Sequence, residues 1–390
     1  MKETILTINA GSSSIKFALY RGAEFSETVL RGKIERIGNT GTTFTYTIDG
    51  KTSKVDSTAI FDFTSALQAL KVFLETHVDM TSVAGIGHRI VHGMERGAHA
   101  LVTPLLITEL KETSLLDPEH MPFEIAIVEM FMSWHSEIPQ VVCFDTVFHH
   151  DMPRVAQMLS LPRRFESYGM KRYGFHGLSC AYLAEELFKL DSKIASGRTI
   201  IAHLGNGASV TALENGKSVD TSMGFTPAGG IPMSSRMGDI DPGVLWYAMK
   251  KENLSLDSLS QLINHESGLM GISETSSDML DLLNCEASDT RAKEAVDLFC
   301  YEVKKRIGAY AAVLGGVDTL IFTGGMGENA SRIRRRICAG LGFLGITLDD
   351  SRNDSNAEVI SIQGGSVCVR VIHTNEELMI ARITSKLINQ

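Results

Sequence analysis

The 390-residue sequence has no C-x-x-C pair among its six cysteines, which are scattered at Cys143, Cys180, Cys285, Cys300, Cys338 and Cys368. This spacing excludes the dense disulfide framework of a small secreted domain and the ligand spacing of a zinc site, and it fits reduced thiols in the cytoplasm. There is no excess of positive charge: 37 Lys and Arg stand against 46 Asp and Glu, a formal charge of −9. Nucleic acid and anionic membranes attract basic surfaces, so neither is expected as a partner and a small molecule is. Long apolar runs are missing too. "ILTI" passes directly into Asn9 and Gly11 with no apolar region before a cleavage site, and the stretch Ile307 to Phe322 is broken by Gly315, Gly316 and Asp318. That stretch reads as a buried helix followed by a strand, and no segment is expected to span a membrane.

What is present is 44% hydrophobic content over a length that usually divides into two domains. Residues 4–30 read as strand, polar loop, strand, turn at Arg21-Gly22 and strand, with Ile15, Phe17 and Leu19 sharing one face. The plan returns at "TIIAHLGNGASVTALENGKSVD", Thr199 to Asp220. In both copies the loop and hairpin glycines lie eleven residues apart, Gly11 to Gly22 and Gly205 to Gly216. This fits a duplicated domain, although hairpins are common enough to give such spacing by themselves. Helical patterns follow near Pro122 to Ser133, Val244 to Lys251, Thr290 to Leu314 and Glu376 to Leu387. Strands alternating with helices make the chain α/β, with a three-stranded meander opening each half.

The loop in "TINAGSSSIKFAL" is not a Walker A motif, because a strand follows it rather than a helix. Ser14 and Lys16 share a strand face, where they suit either a phosphate chain or a solvated polar turn. Glycine loops also follow the apolar strands at "HLGNGAS", His203 to Ser209, and "TGGMGEN", Thr323 to Asn329. Each serves equally as a tight turn or as an anion cradle, and the second precedes a helix. Arg89 in "GHRIVHG" and Arg236 in "PMSSRMGDIDPG" offer guanidinium forks for a carboxylate or phosphoryl group, or else surface ion pairs. His176 stands in a loop before a helix. Asp145 ends a strand where open α/β sheets place ligands, and Glu376 opens the last helix; either carboxylate suits Mg²⁺ or a structural role. His88, His92 and His99 show no helical ligand face, and Arg332 to Arg336, "RIRRR", reads as a solvated helix face.

Taken in order, "NAGSSSIKF", "GHRIVHG", "FDTVFH", "RYGFHGLS", "HLGNGAS", "MGFTP", "GDIDPG", "FTGGMGEN" and "TNEELMIAR" resemble the acetate kinase family, within the superfamily of acetate and sugar kinases, Hsp70 and actin. The resemblance runs from Asn9 to Arg382. It implies two duplicated actin-like ATPase domains of ribonuclease H-like fold around a nucleotide cleft, residues 1–147 plus 378–390 and residues 148–377. It also implies closure on ligands, a homodimer, and Mg²⁺-dependent (or Mn²⁺-dependent) transfer of phosphate from ATP to acetate.

Carried over by position, the resemblance sets Asn9, Ser14 and Lys16 around the phosphates, with Asn9 and Glu376 near the metal. Arg89 and Arg236 would hold the substrate carboxylate and the moving phosphoryl group, His176 would stabilise the transition state, and Asp145 would orient them. His203, Leu204, Gly205, Asn206 and Gly207 would line the phosphate channel. Asp278, Met279 and Leu280, with Gly325, Met326, Gly327, Glu328 and Asn329, would face the nucleoside. Val91, Phe175 and Pro227 would wall a small alkyl pocket.

An ionised carboxylate needs no general base, so two arginines, a histidine and Mg²⁺ suffice for the chemistry. The sequence departs from the family at Glu119, where a pocket leucine is usual, at Leu280, where arginine is common, and in the wording of "PAGGIPMSS". Propionate is therefore a close alternative substrate. A sugar kinase would need Asp145 as a base. An Hsp70-like binding module would require a client-binding region, which is not expected in a chain whose last helix is followed by Gln390.

Overall fold

The computed structural model describes residues 3–11, 13–38, 40–114 and 117–390, together with all of their side chains except those of residues 193 and 194. Ser12, in the opening loop, lies outside the described residues. The chain forms two compact units: Met1–Val147 with Gly177–Tyr182 and Asn375–Gln390, and Phe148–His176 with Leu183–Thr374.

In the first unit, β1 (Thr4–Gly11) pairs antiparallel with β2 (Ser14–Arg21), setting Asn9 opposite Lys16 and Gly11 opposite Ser14. Residues directly opposite share a face. Asn9, Ser14 and Lys16 therefore project together, while Ile15 and Phe17 turn into the core. β3 (Glu27–Glu35), β4 (Thr43–Ile48) and β5 (Lys51–Val55) continue the meander. It is longer than the expected three strands. The missed signal is Asp49-Gly50, both at positive φ (50° and 74°), a dipeptide suited to a tight hairpin between strands of alternating residues.

β6 (Val83–Ile90), β7 (Ala100–Leu101) and β8 (Gln140–Phe144) complete a sheet of order β5-β4-β3-β2-β1-β6-β8-β7, with β6 parallel to β1 and β8 parallel to β6. The last helix, Glu376–Ile388, packs on β1, β6 and β8. Glycine at position 87 is what admits it: a Cβ there would stand 2.2 Å from Thr384 Oγ1 and 2.5 Å from Ile380 Cγ2.

The second unit repeats this plan. β9 (Arg198–Leu204), β10 (Ala208–Glu214), β11 (Lys217–Thr221), β12 (Thr319–Thr323) and β13 (Cys368–Val371) lie in the order β11-β10-β9-β12-β13. β9 is antiparallel to β10 and parallel to β12, as β1 is to β2 and β6. The three-residue loop 205–207 closes the β9–β10 hairpin through a bond from Gly205 N to Gly207 O, 3.1 Å. The third glycine turn is itself helical, Gly324–Asn329, and leads into the helix Ser331–Cys338.

Candidate active site

In the first unit the side chain of Asn9, at the end of β1, donates from Nδ2 to Glu376 Oε2 (2.9 Å) and Glu377 Oε1 (3.2 Å). The N-cap Asn375 fixes those carboxylates. Its Oδ1 accepts from Leu378 N (3.0 Å) and from Tyr20 Oη (3.2 Å), so the helix start is tied to β2. Lys16, exposed, projects from the same face, directly opposite Asn9 on one side and Lys33 of β3 on the other. Among the described residues no group of three or more Asp, Glu, His or Cys gathers as a metal cage. A pair of hard oxygen donors nevertheless suits Mg²⁺, which usually takes one or two carboxylates and completes its shell with water and phosphate.

Arg89, near the end of β6, forms a second cluster. Its Nη2 donates to Asp145 Oδ2 at 2.8 Å and its Nη1 to Glu124 Oε1 at 3.2 Å, and both carboxylates are fully buried. Glu124 also accepts from Val91 N (2.8 Å), and Asp145 Oδ1 accepts from Leu178 N (3.3 Å). Burial opposes the charge on Arg89, but Asp145, Glu124 and Glu376 together hold its pKa above the ordinary value. Burial pushes the Glu124 carboxyl up to about 8 against the pull of Arg89 and the Val91 amide. Glu124 was absent from the sequence expectations. It lies on the helix Met121–Trp134 among the buried positions Met121, Ile125, Val128 and Phe131, so a carboxylate on an apolar face was the available signal. Val91 is itself buried, and Glu119 is half-buried in the turn before that helix.

The second unit gathers the other expected residues. His176 sits at φ 58°, in the left-handed region, directly before the helix Gly177–Leu190. Its Nδ1 shares a hydrogen bond with Ser209 Oγ (2.9 Å), and its ring stacks on His203 with centroids 4.2 Å apart. A Cβ on Gly207 would approach His176 Nε2 to 3.2 Å and Arg236 Nη1 to 3.7 Å, so the bare glycine lies against both groups. Arg236 Nη1 donates to Pro227 O (3.4 Å), and Ser234 N donates to Asn206 O (3.2 Å), binding the arginine loop to the glycine loop. Leu204, Phe175 and Pro227 are buried, Gly205 is half-buried and Asn206 is exposed.

Around the third glycine turn the placement is mixed. Gly325 and Asn329 are exposed, Met326 is half-buried and Gly327 is buried. The Glu328 carboxylate is committed within the protein. It accepts from Gly324 N (2.9 Å), Thr323 Oγ1 (3.2 Å), Thr374 N (3.2 Å) and, at its other oxygen, His373 Nδ1 (2.7 Å). Asp278 caps the helix Met279–Cys285 by accepting from Leu280 N (2.7 Å); Met279 points into the core and Leu280 is exposed. Arg332 Nη1 donates to Leu283 O (3.0 Å), joining that helix to Ser331–Cys338.

The arginine run departs from the expected solvated face at Arg334 alone, for Arg332 is exposed and Arg335 and Arg336 are half-buried. Arg332 and Arg336 both grip Glu286, Arg335 pairs with Asp350 and Asp354, and Arg334 is fully buried. Arg334 shares the inward face with Ile337 and Cys338, a period that the density of charge obscured.

Two sheets of one plan, each opening on an antiparallel hairpin followed by a parallel strand, define an α/β protein of the actin-like ATPase class. The sequence matches the Acetokinase family over residues 4–382. The chain belongs to that family. It is 41% identical to the acetate kinase of Clostridium kluyveri, covering 99% of this chain and 98% of that one, and 42% identical to that of Bacillus cytotoxicus, covering 99% of each. Among solved structures it superposes on Porphyromonas gingivalis acetate kinase with a TM-score of 0.88 at 35% identity, covering 99% of this chain and 100% of that one. A propionate kinase from Francisella tularensis gives a TM-score of 0.90 at 33% identity, covering 98% and 99%.

Proposed function

We propose that this chain reversibly transfers the γ-phosphoryl group of ATP to acetate by direct in-line displacement, giving acetyl phosphate and ADP. The observation that carries this reading is the state of Asp145, whose oxygens are engaged by Arg89 and the Leu178 amide. A hydroxyl acceptor needs a carboxylate base, and Asp145 is instead spent on orienting an arginine. An acetate oxygen, already ionised, forms the new bond to phosphorus while the bond to the ADP oxygen breaks, and no proton moves.

In this reading Arg89 and Arg236 neutralise the charge of the carboxylate and the equatorial phosphoryl oxygens. His176, set by Ser209 and His203, donates to the phosphoryl group as charge spreads. Asn9, Ser14 and Lys16 take the phosphates, as does the loop 203–207. Gly325 to Asn329 and the start of Met279–Cys285 take the nucleoside. Glu376, with Glu377 and Asn9, would hold Mg²⁺, which supplies charge neutralisation to the phosphates. Val91, Phe175 and Pro227 take the methyl group. We place the protein in the cytoplasm as a homodimer, with domains close to 1–147 plus 378–390 and 148–377.

Propionate is the second reading, favoured by the likeness to a propionate kinase structure, because one methylene in an apolar pocket discriminates by only about 1–3 kcal/mol. The test is to incubate the protein with ATP, Mg²⁺ and acetate and to trap acyl phosphate as its hydroxamate. Acetohydroxamate is the expected product, and no hydroxamate from acetate, propionate or butyrate would sink the proposal.

A further inference from the structure

Arg334 is the bulkiest fully buried side chain among the described residues. Five acceptors meet its five N–H groups. Nε donates to Asn353 Oδ1 (2.8 Å), Nη1 to the carbonyls of Gly327 (2.8 Å) and Glu328 (3.0 Å), and Nη2 to Asn353 O (2.7 Å) and Asn356 Oδ1 (2.5 Å). None of them is a carboxylate. Burial pushes the guanidinium down to about 10, which still leaves it charged at neutral pH. A buried cation with no carboxylate among its hydrogen-bond partners, attracted only through space by Asp354, is costly, and an aliphatic side chain would fill the same volume beside Ile337 and Cys338 without that cost. What the aliphatic chain lacks is a fork of donors that fixes backbone carbonyls.

Those carbonyls belong to the last turn of Gly324–Asn329. The opposite end of the same turn is held by Glu328, whose carboxylate takes Gly324 N, Thr323 Oγ1 and Thr374 N. Two ionised side chains thus clamp one short segment, the guanidinium at its carbonyl end and the carboxylate at its amide end. Between the clamps the outward positions, Gly325 and Asn329, remain exposed.

We propose that Arg334 is a positioning residue for the nucleotide: it fixes the backbone of Gly324–Asn329 in the form that accepts the nucleoside, without touching the nucleotide itself. This rests on the assignment of the nucleoside to that turn. A preset turn removes the ordering cost that a loose glycine segment would incur on binding, so the effect falls on nucleotide affinity and not on the chemical step.

The experiment measures ADP binding by calorimetry and steady-state kinetics for three variants. Gly325→Val tests the assignment, since a side chain there meets nothing within 4 Å and intrudes only on a ligand. Arg334→Met keeps the volume and removes the donors. Asn356→Gly removes one acceptor at an exposed residue whose φ of 51° glycine adopts freely, and so keeps a folded test protein if Arg334→Met fails to fold.

The expected results are lost ADP binding in Gly325→Val, a rise of about tenfold or more in the ADP Kd of Arg334→Met, and about threefold in Asn356→Gly. The acetate KM and the kcat at saturation should stay within about twofold of wild type in the last two. Unchanged ADP affinity in Gly325→Val overturns the nucleoside assignment. If Gly325→Val blocks ADP while the folded Arg334→Met or Asn356→Gly proteins bind it as wild type does, or if their acetate KM shifts as much as their ADP Kd, the positioning role is overturned.

Discussion

The imidazoles of His176 and His203 lie face to face, centroids 4.2 Å apart and planes 22° from parallel, while Ser209 holds the first ring through its Nδ1. The arrangement leaves Nε2 of His176 directed at the glycine loop, beside Arg236. If His176 donates to the phosphoryl group as proposed, its replacement by Ala should lower kcat on the order of 10²-fold, with smaller changes in KM for acetate and ATP. Ser209→Ala, which frees the ring without removing it, should show a smaller loss of the same kind. Equal effects on kcat and KM in steady-state assays would contradict this role.

Arg89 sits between two fully buried carboxylates, Glu124 and Asp145. Arg89→Ala leaves the buried Asp145 without its cation and Glu124 without one of its donors. It should lower unfolding stability by about 3–5 kcal/mol, read by urea titration, and reduce kcat/KM by at least about 10²-fold. Arg89→Lys keeps the charge but not the planar fork, and should fall between Ala and wild type in both measurements.

These two clusters show how much of the site could be read from sequence. Asn9, Ser14, Lys16, Arg89, Asp145, His176 and Arg236 each stand in a short local motif, and the Asn9–Lys16 pairing follows from strand periodicity. Glu124 stands in no such motif, Glu377 lies beside Glu376 in "TNEELMIAR" without being singled out, and Arg334 lies in the run "RIRRR" read as solvated. Glu124 meets Arg89 from a helix 35 positions further along, and Arg334 is buried by packing against Asn353, contacts that only the folded chain creates. The duplicated sheet plan was legible through the repeated glycine spacing. The extra strands β4 and β5 were overlooked although Asp49-Gly50 marked them.

Gly87 controls the seat of the helix that carries Glu376. A methyl group at this position collides with Thr384 and Ile380. Gly87→Ala should cost about 1–3 kcal/mol in unfolding stability and raise the Mg²⁺ concentration needed for half-maximal activity, since both glutamates move with the helix. A stable variant with an unchanged Mg²⁺ titration would contradict this coupling.

His88 is buried with Nε2 against Gln140 Oε1, 2.8 Å away, and burial lowers its imidazole to about 4 from the ordinary 6.5. The unfolded chain takes up a proton near 6.5 that the folded chain refuses until about 4, so this stabilisation is full above 6.5 and is lost as the pH falls toward 4. Its upper bound is on the order of 3 kcal/mol. Glu124, raised to about 8, contributes the opposite slope between 4.5 and 8, so the His88 effect is read as a difference. Urea titrations of wild type and His88→Gln between pH 7.5 and 4.5 should converge or cross as the pH falls. Parallel curves would contradict the assignment.

The most direct test of the central claim, that this chain phosphorylates a short carboxylate, is steady-state kinetics with ATP and Mg²⁺ over acetate, propionate, butyrate and a panel of sugars, with Arg236→Ala as the control. The expected result is the highest kcat/KM with acetate, propionate next, no turnover of sugars, and a loss of about 10²-fold or more in the control. Turnover of a sugar with none of the short acids, or an Arg236→Ala enzyme as active as wild type, would contradict it.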